Sequence, residues 1–318
     1  MLDNFIYSVN VILPVFIIVS LGFILGRTKF LGEGFIDPAE KVVFKIALPV
    51  MLFLEVAGAE KLSGGDVRLI TFCVVAVTAA FLLVSLGAFL FVKKEYRGSF
   101  VQGASRSNFA VLGIPLAISM FGDAGGVAIA LVMPFVIVMF NAYSVIILSL
   151  FANGGEQVRI REILKKLFFN IVTNPLIIAV ILALPVLYFD IELPVFANRS
   201  LEYISAMTTP LSLICLGANF KLSAVKGRVG TALAATALKL VVLPAAAVTV
   251  AALLGFRNEA LGTIFILFGA PSAVSSYILA RNMKNDSDLA AQILLFTTML
   301  CLFTVFSGVF LLKTLALI

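Results

Sequence analysis

The segment SRSNFAVLGIPL, Ser105 to Leu116, places a guanidinium, a carboxamide and a glycine–proline pair inside an apolar run. Arg106 is a planar donor fork that suits a carboxylate held through two hydrogen bonds, and Asn108 supplies both donors and an acceptor. Gly113 and Pro115 are expected to break the helical hydrogen-bond ladder, and Pro115 suits the first position of a new half-helix. A second segment, FGAPSAVSSYILA, repeats the arrangement with Gly269 and Pro271 and adds the hydroxyls of Ser272, Ser275 and Ser276. Each interrupted helix offers an amino end with unpaired N–H groups and partial positive charge, and a carboxyl end with open carbonyls. One end suits carboxylates and the other cations, so these residues point to reversible binding of a small charged solute. Structural uses compete at each position: Arg106 also fits a cap on half-helix carbonyls, Asn108 a tie between two broken helices, and the serines close helix packing.

Further polar residues stand in apolar surroundings. Asn141 and Tyr143 belong to the run that follows Arg106, where they suit either solute contact or an interhelical hydrogen bond. Thr208 and Thr209, before Pro210, are expected to line a facing wall. Glu55 and Lys239 are candidates for ion coupling or charge balance, and Lys45 lies near enough to a run's end for its ammonium to reach the interface. The sequence has no histidine, which removes the commonest metal ligand and general base. Cys73, Cys215 and Cys301 lie singly in separate apolar runs. No catalytic residue, metal site or cofactor is expected, and the chain does not read as an enzyme.

The elements that must position these groups follow from composition. Of 318 residues, 62% are hydrophobic and 13% charged, and the mean hydropathy is +1.15, well above a soluble domain. The chain reads as an all-α integral membrane protein. A span needs about 20 apolar residues, and ten runs qualify: 7–26, 40–58, 67–92, 98–121, 125–151, 166–188, 196–218, 229–254, 258–280 and 288–312. The first run has no basic residue before it and no small-residue cleavage site after it, so it reads as a retained span. The net charge of +6 collects in short loops, as expected beside an anionic leaflet rather than nucleic acid. Loops after odd-numbered runs carry most of the Lys and Arg, while the opposite side holds Lys61, Arg68, Arg199, Arg257 and Lys313. Both termini are therefore expected outside the cell membrane and the central linker, 152–166, in the cytoplasm.

The prolines also suggest a duplication. Pro14 and Pro175 are 161 residues apart, as are Pro49 and Pro210, while Pro115 and Pro271 are 156 apart. Around the second pair, a Lys-Leu-Ser follows each proline at a similar distance. Five spans per half is an odd number, so residues 1–151 and 167–318 are expected as two inverted five-helix repeats of one membrane domain, with broken helices in spans four and nine crossing at the midplane.

Together with ALPVMLFLEVA in span two and TTPLSLICLGANF in span seven, the two broken segments resemble the auxin efflux carrier family over essentially the whole chain. That resemblance implies ten spans in inverted repeats, crossing broken helices, a scaffold and a moving transport domain, and carriage of organic anions: auxins in plants, dicarboxylates in bacteria. The short central linker is similar to the compact bacterial form rather than to plant members with a long cytoplasmic loop. The expected function is a secondary transporter of small carboxylates. Alternatives are a bile-acid-type sodium symporter of the same crossover architecture and a receptor that binds without flux. Coupling to Na+ or H+ is open, and a homodimer through the scaffold is compatible with the sequence.

Overall fold

The computed structural model describes residues 2–58, 64–151, 173–218 and 228–318. The linker 152–166 and both Lys-Leu-Ser stretches lie outside the described residues. In chain order the helices are α1 (Leu2–Arg27), α2 (Glu33–Val42), α3 (Leu48–Ala57), α4 (Gly64–Phe91), α5 (Arg97–Ser105), α6 (Ile114–Phe121), α7 (Asp123–Leu150), α8 (Pro175–Tyr188), α9 (Val195–Ala206), α10 (Thr208–Ala218), α11 (Val229–Ala237), α12 (Leu243–Leu253), α13 (Asn258–Gly269), α14 (Val274–Asn282) and α15 (Ser287–Thr314). The described residues are all-helical. Six helical stretches are long and apolar enough to cross a membrane: α1, α4, α7, α9 with α10, α11 with α12, and α15. Their outer faces carry large apolar side chains; Leu83 and Phe303 are each 66% exposed, a surface that acyl chains cover and water does not tolerate. The remaining apolar runs form the proline-bent α2–α3 segment, the interrupted α5/α6 and α13/α14 segments, and the shorter α8.

Proline shapes three of these segments in the same way. Val43–Ala47, Phe109–Gly113 and Leu238–Val242 are π-helical turns, each followed by an α-helix with Pro49, Pro115 or Pro244 in its first turn. A proline ring clashes with the carbonyl four residues earlier. Here those carbonyls belong to Lys45, Val111 and Leu240, at the centre of each π turn. Widening the helix there relieves the clash without stopping the chain.

This corrects the expected break. The helix does not open at Gly113 and Pro115, which lie in continuous helix; Gly113 is packed against Phe109, Ile266 and Ile129. It opens at Arg106–Asn108, with Arg106 extended at φ −79°, ψ 136°. The second interruption falls at Ala270–Ala273 around Pro271, as the sequence suggests. Two of the proline pairs sit in unlike settings, Pro115 in a helical turn against Pro271 in extended chain and Pro14 inside α1 against Pro175 at the start of α8, while Pro49 and Pro210 both lie in the first turn of a helix.

The closest helix crossing is that of α1 with α10. Gly22 faces the Ile214 backbone and Gly217 faces the Val19 carbonyl and the Phe23 amide, with no room for a Cβ at either glycine. Small residues permit this approach in a membrane interior, where packing rather than water expulsion drives helix association.

Candidate functional site

The two interruptions meet. The Asn108 N–H donates to the Pro271 carbonyl at 2.7 Å, and the Ser107 hydroxyl lies 3.5 Å from the Ala270 carbonyl, 163 residues away in sequence. Unwound backbone survives at membrane depth when its polar groups find such partners or line a cavity. The carboxyl end of α13 is well supplied with them: the Ile266 carbonyl accepts from Ala270 N–H, and the Phe268 carbonyl accepts from the Lys239 ammonium at 2.9 Å. Four carbonyls at this break, those of Ile266, Phe268, Ala270 and Pro271, are thus engaged by the protein's own donors.

Donors dominate the other side of the crossing. Arg106 is 8% exposed and donates to Asn141 Oδ1 at 2.9 Å and to Ser144 Oγ at 3.2 Å, both on α7. No carboxylate partners it among the described residues. Among the described residues the buried Asn108 amide nitrogen has no hydrogen-bond partner. Arg106, Ser107, Asn108, Asn141, Asn174 and Ser275 face a cavity of about 500 Å³, with Lys45 and Phe44 on its α2–α3 side. Asn108, Phe44, Ala273 and Ser275 also border a second cavity of about 220 Å³. Its walls include Val111, Leu216, Cys215, Ser212 and Glu40. Ser275 lies in the first turn of α14, where amide N–H groups lack intrahelical acceptors. A buried guanidinium, an open carboxamide and a helix amino end around one cavity form an anion-binding arrangement.

The structure gathers only some of the sequence candidates there: Arg106, Asn108, Asn141, Pro271 and Ser275 stand at the crossing. Ser272 and Ser276 lie beside it, buried, with hydroxyls that have no partner among the described residues, while the Ser272 N–H donates to Thr297 Oγ1 at 3.1 Å. Tyr143 turns away from Arg106: its hydroxyl is 3.0 Å from Thr78 Oγ1 on α4 and its ring packs on Phe81. Thr208 is buried at the start of α10, and Thr209 is half-buried beside it; that helix lends Ser212, Cys215 and Leu216 to the smaller cavity instead. Gly113 and Pro115 pack inside the bundle. Glu55 lies against Gly126 in the first turn of α7, away from the crossing. Ser107, Asn174 and Lys45 also line the larger cavity and Ser144 holds Arg106, although no sequence motif marks them as solute contacts. Their sequence signal lay in position: Lys45 is four residues before Pro49, and Ser144 is one turn after Asn141. Among the described residues no three His, Cys, Asp or Glu side chains come together as a metal set.

Lys239 is fully buried in the π turn before Pro244. A buried ammonium costs several kcal/mol in desolvation, and relief of that cost offsets the hydrogen bond that the Phe268 carbonyl loses, worth about 1–3 kcal/mol, when the replacement packs well. Lys239→Met is therefore expected to keep the melting temperature within about 2 °C of the parent or raise it, while ligand-induced stabilisation falls because the Phe268 carbonyl has lost this donor. Thermal unfolding with and without a bound carboxylate measures both; an unfolded variant would show that Lys239 holds the fold rather than the site.

Comparison with known proteins finds relatives along nearly the whole chain. A family model described as "Membrane transport protein" matches residues 7–307. An uncharacterized transporter of Methanocaldococcus jannaschii is 25% identical over 301 residues, covering 91% of this chain and 94% of the relative. One from Escherichia coli is 23% identical, covering 87% and 89%. A Rhizobium meliloti protein named "Putative malonate transporter" is 23% identical over 96% of both chains.

Proposed function

This chain belongs to the auxin efflux carrier family of membrane transport proteins, and on that premise we propose that it is a secondary transporter of small organic carboxylates working by alternating access. The observation that carries the proposal is the crossing of the two interruptions, where protein donors engage the Ile266 and Phe268 carbonyls at the α13 end while Arg106, Asn108 and the α14 amino end face the cavity. Such a site favours an anion over a cation. In this reading the chain crosses the inner membrane ten times as two inverted repeats, 1–151 and 167–318, with both termini outside and the linker cytoplasmic. The segments around the two interruptions move as a unit against the remaining helices, through which a homodimer forms. Malonate, named for one relative, belongs among the first solutes to test, with malate and simple monocarboxylates.

Uptake or exchange of labelled carboxylates by vesicles containing the purified protein tests the proposal. Asn108→Ala removes one buried polar group worth about 1–3 kcal/mol, so its affinity is expected to fall roughly tenfold. Uptake by this variant equal to the parent at every solute concentration would move the site elsewhere. Replacing Na+ with choline separates a sodium symporter from a carrier in which Lys239 already occupies the carbonyl end; a requirement for Na+ would favour the bile-acid-type reading.

A further inference from the structure

Two helices that touch at one end part at the other. Near the start of α4, the Arg68 guanidinium donates to the Leu254 carbonyl and lies 4.7 Å over the Phe256 ring, which packs on Phe72 at 5.1 Å. Toward the other end of α4 the walls separate, leaving a groove of about 900 Å³ between α4 and the α11–α12 segment. Leu83 and Phe91 form one apolar wall, Leu238 and Val242 the other. Gly87 on α4 and Gly230 on α11 keep the space open; a Cβ on either would meet no heavy atom within 4 Å.

The mouth of this groove carries two cations. Lys93, Tyr96 and Arg228 border it. Arg228 is held in place by Asp286 at 2.7 Å and Asp288 at 3.3 Å, and its guanidinium lies 5.2 Å from the Tyr96 ring centroid. Lys93 is exposed beside them. An apolar trough cannot stay empty without losing dispersion contacts along both walls, and acyl chains are the apolar matter at hand in a bilayer. Two carboxylates already counter Arg228, so Lys93 is the rim cation left to select an anionic headgroup.

We propose that this groove binds an anionic phospholipid, with an acyl chain along Leu83, Gly87 and Leu238 and the phosphate at Lys93. The site is separate from the crossing of the two interruptions but reaches it through α5, because Phe100 lines the groove and the same helix ends at Arg106. Occupancy of the groove braces the half-helix that carries the guanidinium.

Delipidated protein in mild detergent, given phosphatidylglycerol or phosphatidylcholine with identical acyl chains, provides the test by thermal unfolding and native mass spectrometry. Phosphatidylglycerol is expected to stabilise more and to give longer-lived adducts. Lys93→Gln is expected to cut the preference for phosphatidylglycerol about fivefold, the value of one cation near a headgroup. Gly87→Leu adds a good helix former in open space. It is expected to leave the lipid-free melting temperature unchanged or higher and to abolish the lipid-dependent increment. Equal stabilisation by the two headgroups in the parent would overturn the proposal. So would a full phosphatidylglycerol response in Gly87→Leu, or a dimer that Gly87→Leu disrupts, which would make a second copy of the chain the occupant.

Discussion

Arg106→Ala is expected to reduce carboxylate affinity by roughly a hundredfold or more while the protein still folds. The guanidinium is nearly buried and is oriented by Asn141 and Ser144 rather than by a carboxylate, so its charge is available to a solute anion. Truncating one member of a buried, hydrogen-bonded charge pair costs about 2–5 kcal/mol, and about 3 kcal/mol corresponds to the stated loss. Stability responds in two directions that offset each other. Asn141 and Ser144 lose a donor, worth about 1–3 kcal/mol, but an expensive buried charge is also removed. Arg106→Lys keeps the charge and loses the planar fork, so it is expected to bind between parent and Ala variant. Isothermal titration with the best carboxylate from a thermal-shift screen measures all three. An Ala variant within twofold of the parent would remove Arg106 from the site.

Gly217→Val is expected to prevent assembly altogether. A Cβ at this position would overlap the Val19 carbonyl and lie 2.8 Å from the Phe23 amide nitrogen, and both are backbone atoms of α1 that cannot rotate aside. Gly22 makes the reciprocal approach to Ile214, so the helices would have to separate along the whole crossing. Overpacking a tight interior costs about 1–3 kcal/mol, and more where backbone must move. Fluorescence-detected size-exclusion chromatography of the tagged protein reads the result as loss of the monodisperse peak. Gly34→Ala, in the first turn of α2 where an added Cβ meets nothing, is the control that should behave as the parent. A monodisperse Gly217→Val protein with the parent's melting temperature would refute the close crossing of α1 and α10.

Much of the site was legible before any coordinates because its signals are local. Apolar runs with a few isolated polar groups identify a membrane protein. Glycine and proline mark where a helix ladder fails, and a lone Arg106 inside such a run is costly enough to need a partner or a purpose. Composition and the motifs SRSNFAVLGIPL and FGAPSAVSSYILA also pointed to the family that matches residues 7–307.

Tertiary structure decided the rest. Pro115 lacks an N–H wherever it lies, yet the chain absorbs that defect as a π turn and opens instead at Arg106–Asn108. The Asn108 N–H finds the Pro271 carbonyl there, an acceptor that exists only once two distant segments cross. Which way a side chain faces was equally hidden. A span that is apolar all round has no polar stripe to mark its inner side, so nothing in the sequence says that Asn141 turns to Arg106 while Tyr143, two residues on, turns to Thr78 on α4. The sequence determined which groups cannot be left unpaired in a membrane; the crossing of helices far apart in the chain determined which partners they met.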